Sequence, residues 1–301
     1  MSDPHFRCGH VAIVGRPNVG KSTLLNHILG QKISITSSKP QTTRHRILGI
    51  KSGAGAQVIY VDTPGIHEQA KRAMNRYMNR VATATLQDVD LIIFMVEALR
   101  WTAEDEAVLE RLRETSIPVI ALVNKVDKVA DKGKLLPFLR ELAQKDSFAE
   151  VIPISATRRP DTARVEQAVE RMIPEQPPLY PEDQLTDRSE RFLAAEIIRE
   201  KLMRRLGQEL PYVLTVEIEK FACDEGGLTE IAAVIWVERS SHKGIVIGKG
   251  GRQLKRVGEL ARKEMEQLFG SRVFLQLWVK VKEGWSDDER ALRSLGYGDE
   301  N

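Results

Sequence analysis

The chain has 301 residues, 42% of them apolar and 29% charged, with a formal net charge of +3. That length and apolar content suit two domains that each bury a core, and they exclude a low-complexity or disordered chain. So small a net charge excludes global electrostatics as the force that brings this protein onto nucleic acid or an anionic membrane, so any basic surface must be local.

The opening "MSDPHFRCGH" passes directly into a strand-like "VAIVG" with no basic-then-apolar leader, and no apolar run approaches the roughly 18 residues of a membrane span, so the expected location is the cytoplasm. Further β-branched apolar runs follow in "QVIYVD", "LIIFMVE", "PVIALVN" and "VIPIS", separated by helix-patterned segments such as "EDEAVLERLRE" and "LLPFLRELAQK". Strands buried on both faces and spaced by helices predict a doubly wound, mostly parallel α/β domain over residues 1–175. Pro174, Pro177, Pro178 and Pro181 then crowd "PEQPPLYPED" and predict a linker, taken as 176–186. A second, α+β domain is expected over 187–285, in the order helix "RSERFLAAEIIREKLMRRLG", strands "YVLTVEIEKF" and "IAAVIWVER", a glycine turn, helix "LKRVGELARKEMEQLF" and strand "RVFLQLWVKVK", with a tail at 286–301. Cys8 and Cys223 sit in different halves without metal-ligand spacing and are expected to be ordinary reduced thiols.

The first strand runs into "GRPNVGKST": Gly15, Arg16, Pro17, Asn18, Val19, Gly20, Lys21, Ser22 and Thr23. This is the G-x-x-x-x-G-K-[ST] loop in the strand-to-helix context that makes it credible as a phosphate cradle. Its backbone N–H groups and the helix N-terminus face phosphate, Lys21 reaches the β/γ-phosphates, and the Ser22 hydroxyl can ligate Mg²⁺. Asp62 ends "QVIYVD" and opens "DTPG" (Asp62, Thr63, Pro64, Gly65), so its carboxylate can support the metal while the Gly65 N–H meets the γ-phosphate. Asn124, Lys125 and Asp127 follow another strand as "NKVD". One carboxylate can accept both N1–H and N2–H₂ of guanine, a pair of donors that adenine lacks. After the next strand, Ser155 and Ala156 stand where a backbone N–H could meet guanine O6. Between the phosphate loop and Asp62, "SSKPQTTRHRI" has little burial pattern and reads as a segment ordered by γ-phosphate and metal. Thr42 or Thr43 would supply its metal hydroxyl, with Thr43 favoured. Lys39, Arg44, His45 and Arg46 stand as either solvated loop or a contact to RNA or nucleotide.

A second glycine loop, "IGKGGRQLKR", has no G-K-[ST] spacing and no base-selecting motif after it. It does contain G-x-x-G, as Gly248, Lys249, Gly250 and Gly251, ahead of a helix carrying Arg252, Lys255 and Arg256. That is the arrangement of a KH module, whose loop closes on the backbone of about four single-stranded nucleotides. The 181–301 half carries 20 basic and 22 acidic residues, yet 239–263 holds eight basic residues and one acid, a focus that suits phosphate neutralisation. Ile245, Val246, Ile247 and Leu254 read equally as a base-binding groove or as core.

"GRPNVGKSTLLN", "QTTRHRI", "YVDTPGIH", "NKVD", "ISA", "AAEIIREKLMR", "ELPY", "LWVKVK" and "GWSDDERALRSLGY" resemble, in place and order, the Era family of bacterial GTPases within the wider TrmE-Era-like group. The resemblance spans nearly the whole chain. It implies a Ras-like P-loop GTPase domain followed by a type II KH domain, GTP and GDP as ligands with Mg²⁺, and slow GTP hydrolysis. It also implies binding to the 3′ end of 16S ribosomal RNA, help in 30S subunit maturation and, in some members, peripheral association with the inner membrane; no DNA partner is expected and a monomer is the default. Lys21, Thr43, Gly65 and Asn18 are the expected catalytic positions, with Ser22, Thr43 and Asp62 on the metal. Ile66 stands where Ras-like enzymes carry the glutamine that orients water, so water must be positioned otherwise. In some GTPases resembling this one an asparagine at the place of Asn18 helps bind K⁺; a turn-stabilising Asn18 is the plainer alternative. Two functions remain open at this point: a switch in which GTP gates RNA access, or a constitutive RNA-binding anchor whose GTPase domain regulates a protein or membrane contact.

Overall fold

In chain order the N-terminal half contains β1 (Arg7–Val14), α1 (Lys21–Leu29), β2 (Ile47–Ser52), β3 (Ala56–Asp62), α2 (Ala73–Thr85), β4 (Leu91–Glu97), α3 (Ala103–Arg113), β5 (Val119–Asn124), α4 (Leu135–Ala143), β6 (Glu150–Pro153) and α5 (Arg159–Met172). The computed structural model describes residues 5–37, 39, 41–65, 72–207 and 210–298; Ile66 and Glu209 of "ELPY" lie outside the described residues. The chain folds into two compact units. The first holds Met1–Ser34, Thr43–Ala70 and Met78–Asp187, and the second holds Ile35–Thr42, Lys71–Tyr77 and Arg188–Asn301.

The first unit is built on one sheet in the order β2-β3-β1-β4-β5-β6, parallel throughout except for β2 against β3. Every residue of β3 is buried and so are all of β4 except Glu97, as expected for strands covered on both faces. One face packs Ala12, Val14, Ile92, Phe94, Val96, Ala121 and Val123 against Ala82, Val108, Leu109, Leu112 and Leu142 from three helices. The antiparallel strand β2 is absent from the sequence reading: "ILGIKS" has no clean alternation, and a strand of that kind is recognisable only from its pairing with β3. The proline-rich stretch is bonded along the first unit. Gln57, itself buried, accepts from the Leu179 and Tyr180 N–H groups at 2.8 and 2.9 Å and donates to Tyr180 O at 2.8 Å.

The second unit contains α6 (Glu190–Arg205), β7 (Leu214–Cys223), β8 (Leu228–Val237), α7 (Ser240–Ile247), α8 (Arg252–Phe269), β9 (Arg272–Val281) and α9 (Glu289–Ser294). Its sheet runs β7-β8-β9, with β9 parallel to β8. Ala194, Ile198 and Leu202 of α6 and Val257, Ala261 and Met265 of α8 cover the inner sheet residues Val216, Ile231, Ala233, Ile235 and Val279. "SSHKGIVI" forms the helix α7, where the sequence reading has no helix; with a glycine inside and β-branched residues at its end, its propensity is low, and packing of Val246 into the core holds it. Ile35–Thr42 belongs to this unit. There Thr36 N donates to Glu200 Oε1 at 2.9 Å, Arg204 Nη2 donates to Thr36 Oγ1 at 2.8 Å, and Arg199 Nη2 donates to Thr42 O.

Candidate functional site

The phosphate loop spans the end of β1 and the start of α1, whose N-cap Gly20 has φ 114°. Asn18 has φ 65°, a left-handed conformation that asparagine tolerates better than most residues. Lys21 lies back across the loop: its Nζ donates to Gly15 O at 2.9 Å and Arg16 O at 3.1 Å. Burial lowers its pKa to about 8, with Asp62 and Asp105 opposing the shift and Arg16 adding to it.

Ser22, Thr43 and Asp62, from three separate segments, converge. Ser22 Oγ donates to Asp62 Oδ2 at 2.7 Å and lies 3.0 Å from Thr43 Oγ1, which is 3.4 Å from the same carboxylate oxygen. Ser34 also donates to Asp62 Oδ2, at 2.8 Å, a contact absent from the sequence reading because no motif marks that serine. Asp62 is fully buried, its Oδ1 has no hydrogen-bond partner among the described residues, and burial raises its pKa against the bonds from Ser22, Ser34 and Thr43 and the Lys21 charge. A hard oxygen cluster with an orphaned carboxylate oxygen fits Mg²⁺. Of the two threonines, Thr43 is the one beside Asp62; the Thr42 hydroxyl donates to Lys39 O at 2.6 Å. Arg44 and His45 are buried while Arg46 is exposed, so the basic run is only partly a solvated loop. Thr63 Oγ1 donates to Ile13 O at 3.1 Å, and a Cβ on Gly65 would meet Pro17 Cγ at 2.9 Å, which places "DTPG" against the phosphate loop.

Asn124 ties three loops together. Its Nδ2 donates to Val19 O at 2.7 Å and its Oδ1 accepts from Ala156 N at 2.9 Å. Ser155 N donates to Asp161 Oδ2 at 2.8 Å, so both N–H groups assigned to guanine O6 are hydrogen-bonded within the protein. Asp127 is exposed in a 3₁₀ turn over Val126–Lys128, open to a base. The Arg16 side chain turns away from the phosphate cradle and pairs with Glu97 and Asp105.

In the second unit, Gly248 (φ 71°, ψ 173°) ends α7 and a 3₁₀ turn over Lys249–Gly251 leads into α8. Among the described residues none comes within 4 Å of a Cβ built on Gly250 or Gly251, whereas a Cβ on Gly248 would meet Gln253 Cβ at 2.6 Å. Lys249, Arg252, Lys255 and Arg256 are all exposed, so the loop and first turns of α8 form a local basic surface in a chain of weak net charge. Val246 is core, Ile247 and Leu254 are packed partly against it, and Ile245 is 51% exposed beside the loop. Among the described residues no helix is long and apolar enough to cross a membrane.

Comparison with known proteins follows this division. A family model described as 50S ribosome-binding GTPase matches residues 10–125, and a KH domain model matches 209–286. The GTPase Era of Pseudomonas aeruginosa is 60% identical over 305 residues, covering 99% of this chain and 100% of that protein. That of Marinobacter nauticus is 57% identical over 297 residues, covering 99% and 97%. A crystal structure of Era in complex with MgGDPNP and nucleotides 1506–1542 of 16S ribosomal RNA matches with TM-score 0.94 at 40% identity, covering 98% of this chain and 100% of that one. A tyrosine-to-alanine variant of Aquifex aeolicus Era bound to GDP and AlF4⁻ matches with TM-score 0.94 at 39% identity, covering 97% and 100%. With its phosphate loop, base-recognition loop and G-x-x-G turn in place, and identity of this order along its whole length, the chain belongs to the Era family of GTPases: a P-loop enzyme that hydrolyses GTP, joined to a KH domain.

Proposed function

We propose that this protein is a GTP-driven switch that binds the 3′ end of 16S ribosomal RNA through Gly248–Gly251 and the start of α8, and that it assists maturation of the 30S subunit. One observation carries the coupling. Ile35–Thr42, which directly precedes the candidate metal ligand Thr43, is bonded to Arg199, Glu200 and Arg204 of the same unit that carries the G-x-x-G turn. A state of Thr43 that depends on nucleotide therefore acts on a segment anchored in the RNA-binding module. The solved Era complex containing both MgGDPNP and the ribosomal RNA segment supports this reading.

In the GTPase reaction, Lys21 exchanges Gly15 O and Arg16 O for the β/γ-phosphate oxygens, and the loop N–H groups hold the remaining charge. Ser22, Thr43 and Asp62 hold Mg²⁺, which when bound neutralises charge on the β- and γ-phosphoryl oxygens. Gly65 N–H contacts the γ-phosphate. Asp127 accepts the two guanine donors, while Asn124 braces the loops around the base. Asn18 would help hold K⁺, which would supply positive charge in place of an arginine finger, so turnover is expected to be slow without K⁺ or a partner. The chain acts as a monomer in the cytoplasm, and any membrane association is peripheral.

The experiment is the affinity of an oligonucleotide matching the 16S 3′ end, measured with GDP and with a non-hydrolysable GTP analogue in K⁺ buffer at fixed salt. Much tighter binding in the GTP-like state is expected. Equal affinities would remove the switch and leave a constitutive RNA anchor.

A further inference from the structure

An ion cluster lies behind the nucleotide loops. Strand β4 runs between β1 and β5, so its last residue, Glu97, stands between the phosphate loop after β1 and the "NKVD" loop after β5. Glu97 Oε2 accepts from Arg16 Nη2 at 2.8 Å and from Lys125 Nζ at 3.1 Å. On its other edge, Arg16 Nε donates to Asp105 Oδ2 at 3.1 Å. Asp105 is fully buried and held at the start of α3 by the Thr102 N–H and hydroxyl, at 3.0 and 2.8 Å.

The cluster restrains groups that bear directly on the ligand. Arg16 is 5% exposed and cannot lose its proton, so its burial depends on the two carboxylates. Its carbonyl is one of the two that Lys21 holds. Lys125 has φ 66°, a left-handed conformation that lysine rarely adopts and that persists only where surrounding contacts enforce it. Burial disfavours the Glu97 carboxylate, but hydrogen bonds from Arg16 and Lys125 outweigh it and lower the pKa, so the group is an anion at neutral pH.

We infer that Glu97, with Asp105 behind it, is a positioning residue that locks the phosphate loop and the base-recognition loop in one register, so that guanine-nucleotide affinity and selectivity depend on a side chain outside both loops. This rests on the GTPase reading. A purely structural ion pair would contribute to folding alone, whereas a residue bonded to both loops must also affect the two grips on one ligand.

The test uses the full chain: dissociation of fluorescent GDP, the ratio of GDP to IDP affinity by competition, and thermal unfolding without nucleotide, for wild type, E97A and E97Q. IDP lacks the 2-amino group, so the ratio reports the base grip. The expected result is GDP release about tenfold faster in E97A or more, with a narrowed GDP-over-IDP ratio, the scale set by breaking a partly buried charge pair. E97Q, which keeps the shape and one acceptor, is expected to fall between. A folded E97A with wild-type release and an unchanged ratio would overturn the inference. If E97A does not fold, E97Q decides alone: release faster than wild type with a narrowed GDP-over-IDP ratio supports the role, and wild-type release and ratio end it. Failure of the wild type to bind GDP would instead overturn the GTPase reading.

Discussion

Gly20 and Asn124 approach so closely that a methyl group added to Gly20 would lie 2.4 Å from Asn124 Nδ2. Asn124 cannot yield, because that nitrogen is bonded to Val19 O and its oxygen to Ala156 N. At φ 114° the Gly20 backbone is also one that side-chain-bearing residues avoid. The Gly20→Ala substitution is therefore expected to cost about 2–4 kcal/mol in urea unfolding and to remove measurable GDP binding. Asn124→Ala alone strands two buried polar groups at a cost of about 2–3 kcal/mol, but it also removes the clash. The double variant should consequently be less destabilised than the sum of the singles; strict additivity would show that the two residues do not constrain each other.

For Asp62, burial holds the carboxyl pKa above its ordinary value despite three hydroxyl partners. An acid whose folded pKa is raised binds more protons folded than unfolded, so its ionisation costs stability as pH rises past the unfolded value near 3.9. Asp62→Asn keeps an acceptor for Ser22, Ser34 and Thr43 without that charge. In chelator at pH 7 the variant is expected to unfold at or above the wild-type temperature. With Mg²⁺ it should lose GTP hydrolysis by a factor on the order of 100 or more. Wild-type hydrolysis by the variant would remove Asp62 from the metal site.

The Lys21 amine, with its pKa of about 8, makes two opposite pH dependences. Phosphate restores its charge and raises that pKa, so GDP binding takes up a proton above pH 8, and affinity falls as pH climbs through 8 toward the bound value. In the nucleotide-free protein the folded pKa lies below the unfolded one near 10.4, so burial of the ammonium is a penalty at pH 7 that is relieved between about 8 and 10.4. Titration calorimetry at pH 9 in buffers of different ionisation enthalpy should register proton uptake. Affinity constant from pH 7 to 9.5 would place Lys21 outside the phosphate contact.

At the second loop, Gly248→Ala must be accommodated at φ 71° with a Cβ 2.6 Å from Gln253 Cβ. It is expected to displace the turn and weaken binding of the 16S oligonucleotide about tenfold or more while leaving GTP hydrolysis unchanged. Lys249→Ala, Arg252→Ala and Lys255→Ala should each lower the slope of log affinity against log salt by about 0.7, the single-strand value per phosphate. A slope that none of the three alters would move the RNA to another face of the unit.

Several parts of this molecule are legible in a short window of sequence. The strands β1, β3, β4, β5 and β6 announce themselves as apolar β-branched runs, and "GRPNVGKS", "DTPG", "NKVD" and the G-x-x-G turn carry their chemistry within a few residues, because backbone cradles and base-selecting carboxylates are local devices. Tertiary structure decided the rest. The edge strand β2 exists through its partner β3, and α7 is a helix because Val246 is core, although its glycine and β-branched residues favour other conformations. Ser34 joins Asp62, and Ile35–Thr42 joins the C-terminal unit, through interactions that no spacing encodes. Arg16 reads in sequence as one more phosphate-loop residue, yet its partners Glu97 and Asp105 lie 81 and 89 positions away. Strand order brings them together: a parallel sheet sets the ends of β1, β4 and β5 side by side whatever their separation along the chain, and a buried guanidinium must find its carboxylates there.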